Sequence, residues 1–203
     1  MSASQVQREA MLGAQMDIKI EGRLTELREK GLMRVVGCMS RLGELTHDML
    51  SFDGDKRIKT ELMARFLELE EKTKSYGGAM EIGPKDYEFR IKAIFRQGGK
   101  STYVFEVSPR KNGLDKFRGE LWIDGPTGMP LREAGKFVKS PSVWLKNLRF
   151  ARDYELHDGI AVVKRFQSST DVRLLGVGTA ELDVSFSNFS RNTAEQPARE
   201  GRL

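Results

Sequence analysis

Period-two alternation is what most constrains this chain. In Met16-Asp17-Ile18-Lys19-Ile20-Glu21 apolar and charged residues alternate without a break. A strand sends successive side chains to opposite faces, so such a run has one face buried and one in water. The rhythm returns in Tyr87–Ala93, Tyr103–Val107 and Phe117–Asp124. Gln97-Gly98-Gly99-Lys100 marks a hairpin, and Gly125-Pro126-Thr127-Gly128 is a second turn cluster. Further strands are expected at 31–40, 43–52, 131–139, 143–154, 160–168 and 174–188, with His157-Asp158-Gly159 as the last turn but one.

One segment breaks the rhythm. Leu62, Phe66 and Leu69 recur at helical spacing, which predicts a helix over Leu62–Lys74 that Gly77-Gly78 would stop. Residues 1–10 are a polar segment with room for a short helix (Gln5–Met11). Residues 190–203 carry almost no core-forming side chains and read as a disordered tail. Between them, 11–189 reads as a single domain. Ten or eleven strands joined by short turns make a mainly β (α+β) antiparallel meander, and a sheet that long must curl.

Composition narrows the function. The 203 residues are 39% apolar and 31% charged, a globular balance, and the net charge of +5 is too mild and dispersed to mark a nucleic-acid binder. A single cysteine, Cys38, excludes an internal disulfide and a thiolate zinc cluster, and two histidines leave little for metal or triad chemistry. No cofactor or metal is expected. No apolar run approaches the roughly 20 residues of a membrane-spanning helix. Met1 to Glu9 is polar and no signal-peptide core follows it, which by itself reads as cytosolic.

No residue stands out as catalytic. His47 and Asp48 are strand neighbours that point to opposite faces, so they form no dyad. His157 reads as a turn residue and Cys38 as a small buried hydrophobe. Glu68, Glu70 and Glu71 read as the solvated face of the helix. Gly176-Val177-Gly178-Thr179 lacks the third glycine and the following helix of a dinucleotide site and reads as a bend. Arg110, Lys111, Lys116, Arg118, Arg132, Lys136 and Lys139 read as scattered solubilising charge. What remains is the apolar face of the sheet. Its lining is expected to include Met16, Ile18, Ile20, Tyr87, Phe89, Ile91, Phe95, Tyr103, Phe105, Leu182, Val184 and Phe186. That lining is either a filled core or a pocket. Two features favour a pocket. A curled sheet of this size has more inner face than one helix covers. Also, four of nine methionines (Met16, Met33, Met39, Met49) fall in the first three strands, and methionine adapts to variable contacts.

From about Met11 to Phe189 the chain resembles the outer-membrane lipoprotein-sorting proteins, the LolA/LolB-like family. The resemblance lies in GAQMDIKIEGRL, LSFDGDKRIKTELMARFLELEEK, YVFEVSPRKNGLDKFRGELWID, the GMPLRE turn, and HDGIAVVKRF followed by GVGTAELDVSFSNF. It implies an unclosed antiparallel β-barrel with one or two covering helices and a hydrophobic cavity. It further implies a monomeric, non-enzymatic carrier for acyl chains of a lipoprotein or another lipid. Such a carrier would work in the periplasm, its export signal removed, between an inner-membrane exporter and an outer-membrane acceptor, or attached to the outer membrane. Each buried methylene gains about 0.8 kcal/mol, so a sixteen-carbon chain forfeits roughly 10 kcal/mol or more in water. Hiding it takes no nucleophile and no metal. The competing reading on the same fold is an interaction or sensor domain that binds a lipidated or extended protein segment.

Overall fold

The computed structural model describes residues 11–40, 42, 44–73, 82–113, 116–139, 145–157, 159–172 and 178–191. The Gln5–Met11 helix apart from Met11, the Gly77-Gly78 stop, the Gly176-Val177 bend and the tail from 192 onward lie outside them.

Ten strands form one antiparallel sheet: β1 (Ala14–Leu24), β2 (Glu29–Met39), β3 (Leu45–Gly54), β4 (Tyr87–Gln97), β5 (Lys100–Pro109), β6 (Phe117–Asp124), β7 (Pro130–Phe137), β8 (Leu145–His157), β9 (Ile160–Val172) and β10 (Gly178–Arg191). Their order is β3-β2-β1-β10-β9-β8-β7-β6-β5-β4. Only the β1–β10 pairing joins strands distant in sequence, and β3 and β4 are left as the two edges, so the barrel is unclosed. The Gly98-Gly99 turn has positive φ at both glycines (56° and 76°), as a two-residue hairpin with the sheet's own twist requires. β10 runs to Arg191, where Ser190 and Arg191 pair with Gln15 and Ala14, so the sheet extends two residues past the expected start of the tail.

Between β3 and β4 a π-helical stretch, Ile58–Met63, passes directly into α1, Ala64–Thr73. Lys56 and Arg57 are already helical, so the helical segment begins six residues before Leu62. Its entry is set by the sheet beneath it. Gly22 and Gly31 are paired across β1 and β2 on the inner face. Ile58 occupies the notch they leave: a Cβ built on Gly22 or Gly31 would lie 2.9 or 3.0 Å from Ile58 Cγ2.

Cross-strand pairs carry the inner face across the whole sheet. Met33 pairs with Ile20, Ile20 with Val184, Val184 with Phe166, Phe166 with Arg152, Arg152 with Glu133, Glu133 with Leu121, Leu121 with Phe105 and Phe105 with Ile91. Two apolar clusters sit on this face. The larger joins Ile58, Met63 and Phe66 of the helical segment to β1, β2, β9 and β10. The smaller gathers Tyr87, Val107, Phe117, Leu121 and Phe150, with no helix over it among the described residues.

Gly22→Val pushes a branched side chain into Ile58. The overpacking is expected to cost about 1–3 kcal/mol, read as a lowered urea midpoint. A variant as stable as the parent would show that the notch does not seat the helix.

Candidate functional site

The inner face has a closed end and an open end. Met16, Ile18, Ile20, Leu182, Val184 and Phe186 are at most 5% exposed and belong to the cluster under the helix. Tyr87 is fully buried in the smaller cluster, where its hydroxyl oxygen accepts a hydrogen bond from the Phe117 backbone N–H at 3.2 Å. These seven residues touch the protein's own side chains.

The open end lies on β4 and β5. Phe89 is 36%, Ile91 59% and Ile94 45% exposed. Phe89 stands edge-on to Phe105 with centroids 6.1 Å apart, and Phe105 stacks on Tyr103 at 6.5 Å. The register places Ile91 opposite Phe105 and Ile94 opposite Tyr103, so the five share one face, continued on β6 by Ile123 opposite Tyr103.

Phe95 lies on the other face. A register shift between Ile91 and Ala93 inserts Lys92 as an extra residue, and every side chain beyond it changes sides. Phe95 therefore stacks on Trp122 at 5.5 Å on the convex side, and Ile94, which strict alternation had sent outward, takes its place inside.

Between the two ends lies a buried ionic group that the alternation did not suggest. Arg152 is 1% and Glu133 4% exposed, and Arg152 Nη1 donates to Glu133 Oε2 at 2.6 Å. The guanidinium carbon sits 5.7 Å from the ring centres of both Phe150 and Phe166, and Phe166 stacks on Phe66 of α1 at 5.6 Å. Phe150 in turn packs edge-on to Phe117 at 4.9 Å. A row of rings broken by one cation thus links the helix to the smaller cluster. Burial pushes the Tyr154 phenol upward, with the charge of Glu133 adding to it, so Tyr154 stays protonated. The signal for this group was present in Phe150-Ala151-Arg152-Asp153-Tyr154, where an arginine falls at an inward position between two aromatics.

The other candidates find local roles. His47 is bonded to Glu70 and Glu71 of α1, and Glu70 is 1% exposed, so Glu70 belongs to the packed side of the helix and not to its solvated face. His157 closes β8, where its ring nitrogen lies 2.6 Å from Glu155 Oε1. Cys38 is half-buried, and burial, with Asp48 nearby, pushes its thiol up, the opposite of an activated nucleophile. Arg110 pairs with Glu88, Lys116 with Asp86 and Arg132 with Asp153, so this charge is spent on local partners. No group of three metal-ligating side chains occurs among the described residues. A hollow of about 470 Å³ involves mainly the convex face of β1, β8, β9 and β10, but Glu21, Arg23, Arg149, Gln167, Glu181 and Asp183 give it a polar wall unlike the expected apolar lining.

No family model matches the chain, and no curated protein does. Among solved structures it is similar to a LolA superfamily protein from Nitrosomonas europaea (10% identity, 96% of each chain covered, TM-score 0.39). It is also similar to a DUF1329 family protein from Desulfovibrio piger (13% identity, 97% of this chain and 92% of that one, TM-score 0.43). A third is a putative outer membrane lipoprotein-sorting protein domain from Vibrio parahaemolyticus (16% identity, 96% and 93%, TM-score 0.41).

Replacing Glu133 by Ala takes the carboxylate away from the buried Arg152 charge and is expected to destabilise by about 3–5 kcal/mol. The double variant Glu133→Leu, Arg152→Met is expected to recover most of that loss. Equal loss in both, by urea unfolding, would show that the rings and not the charges hold this region.

Proposed function

We propose that the protein is a non-enzymatic carrier that holds acyl chains of a lipid or lipoprotein against the open end of its sheet. In this reading it works in the periplasm, taking its cargo from an inner-membrane donor toward an outer-membrane acceptor. The observation that carries the proposal is the exposed row Phe89, Ile91 and Ile94, continuous with Tyr103 and Phe105 on the face the helix leaves bare. A contiguous exposed apolar surface marks a binding site more often than chance packing. Apart from the Tyr103 hydroxyl, the row presents no polar side chain, which suits a ligand that makes no hydrogen bonds. An acyl chain gains by leaving water at any point along its length, so a flat apolar face of modest relief serves it.

The protein-segment reading draws on a different feature. β4 is the last strand of the sheet, with one backbone edge unpaired by any described strand, and such edges accept extended peptides. A lipoprotein would satisfy both features at once.

Delipidated protein is expected to bind a fluorescent fatty acid saturably. Ile91→Asp should weaken that binding about tenfold or more, roughly 1.4 kcal/mol. Ile91 is exposed, so its replacement spares the fold. Leu50→Asp, equally exposed but on β3 at the far edge, should leave binding unchanged. Absence of saturable binding, or equal affinity in both variants, would defeat the carrier reading.

A further inference from the structure

We propose that His47 and the two glutamates that grip it form a pH-sensitive latch fastening the C-terminal half of the covering helix to β3. The His47 side chain is 3% exposed. Its Nε2 lies 3.1 Å from Glu70 Oε2 and its Nδ1 3.0 Å from Glu71 Oε1. Carboxylates only accept, so both contacts are hydrogen bonds only when both ring nitrogens carry protons. A neutral imidazole has one N–H and must turn its bare nitrogen toward one of the carboxylates.

Among the described residues the ring has no other cation or acid to answer to. Across β2 its partner is Gly37, and beyond that on β1 stands Met16. Asp48 on β3 and Cys38 on β2 occupy the opposite face of their strands. From the described part of the helix, Glu70 and Glu71 are the ionisable groups that meet it. They lie in the last turns of α1, where the helix dipole is negative, so a cation between them is favoured twice over.

Burial alone lowers the basicity of the ring, but the hydrogen bonds and charges of Glu70 and Glu71 outweigh it, and the net shift is upward from the ordinary value near 6.5. A raised folded-state value contributes stability that is fully present below the unfolded value and is lost as pH rises through the folded one. The latch is closed in mild acid and opens in alkali. Ile58, seated on Gly22 and Gly31 at the other end, stays in place, so the C-terminal half of the helix is the part released. If the carrier reading holds, on which this consequence alone rests, release extends the bare apolar face from the open end toward Phe66.

Amide hydrogen exchange on the ligand-free protein tests the latch. After correction for the intrinsic pH dependence of exchange, protection of amides in 64–71 should fall tenfold or more between about pH 6 and about pH 9, while β1 and β10 hold theirs. In His47→Gln that fall should vanish. If His47→Gln does not fold, Glu71→Gln, at an exposed carboxylate, should move the wild-type transition to lower pH. Nitrogen NMR of His47 should show both ring nitrogens protonated at about pH 6.5. The same loss of protection in His47→Gln, an unmoved transition in Glu71→Gln, or a ring already neutral at that pH would overturn the proposal. No lipid enters the experiment, so its outcome is independent of whether the protein binds one.

Discussion

Among the described residues one short helical segment has to cover the concave side of a ten-stranded sheet, and it reaches only one half. Every other feature follows from that shortage. Side chains of the helical segment enter the apolar cluster shared by β1, β2, β9 and β10, where Phe66 stacks on Phe166, and there the inner face is a closed core. Beyond β8 the sheet closes its own concavity with aromatic rings, Phe117, Phe137 and Phe150 packing on one another. At β4 even that filling stops. The bare row Phe89, Ile91 and Ile94 marks where covering side chains from the described residues end.

The buried Arg152–Glu133 pair stands where the helix-covered core gives way to the self-filled one. A buried ion pair gains little stability over apolar residues of the same size, and its components are hard to remove singly. Its worth here is positional. The guanidinium lies against both Phe150 and Phe166, and Phe166 packs against both clusters, so the pair stands at their junction while bonding across β7 and β8. A charge that must keep its partner fixes the sheet's alignment at its centre.

Much of this was legible in the chain. Alternation located the strands, because a half-buried sheet admits no other pattern, and the double glycine at 98–99 placed its hairpin. The residues quoted for the LolA/LolB-like resemblance led to the unclosed curled sheet with a covering helix, which is the architecture observed. The site was legible only up to the first irregularity. Parity counted along β4 is correct to Ile91 and inverted afterward, since a bulge at Lys92 leaves no trace in polarity: Arg90-Ile91-Lys92-Ala93 alternates as well as any regular strand. Glu70 was misplaced for a different reason. Its partner, His47, lies 23 residues away on β3, and helical spacing alone cannot tell a buried acid with a distant partner from a solvated one. The helix start moved for the same kind of reason, because the Gly22–Gly31 notch that receives Ile58 is a property of two paired strands.

The open end is costly for the protein to keep. An edge strand bearing apolar side chains invites pairing with other copies. β4 meets that hazard on its convex side, where Arg90 is tied to Glu106, Lys92 to Glu120 and Glu88 to Arg110. These charged rungs and the bulge at Lys92 make the edge a poor template for a second flat sheet. The same protection was open to the concave row, since a single charge at Ile91 would disturb nothing beneath a side chain that is 59% exposed. Before the bulge, guarding one face of the strand with Glu88 and Arg90 and leaving Phe89 and Ile91 on the other is hard to account for by folding, which gains little from residues so exposed. It is readily accounted for by a ligand that covers them.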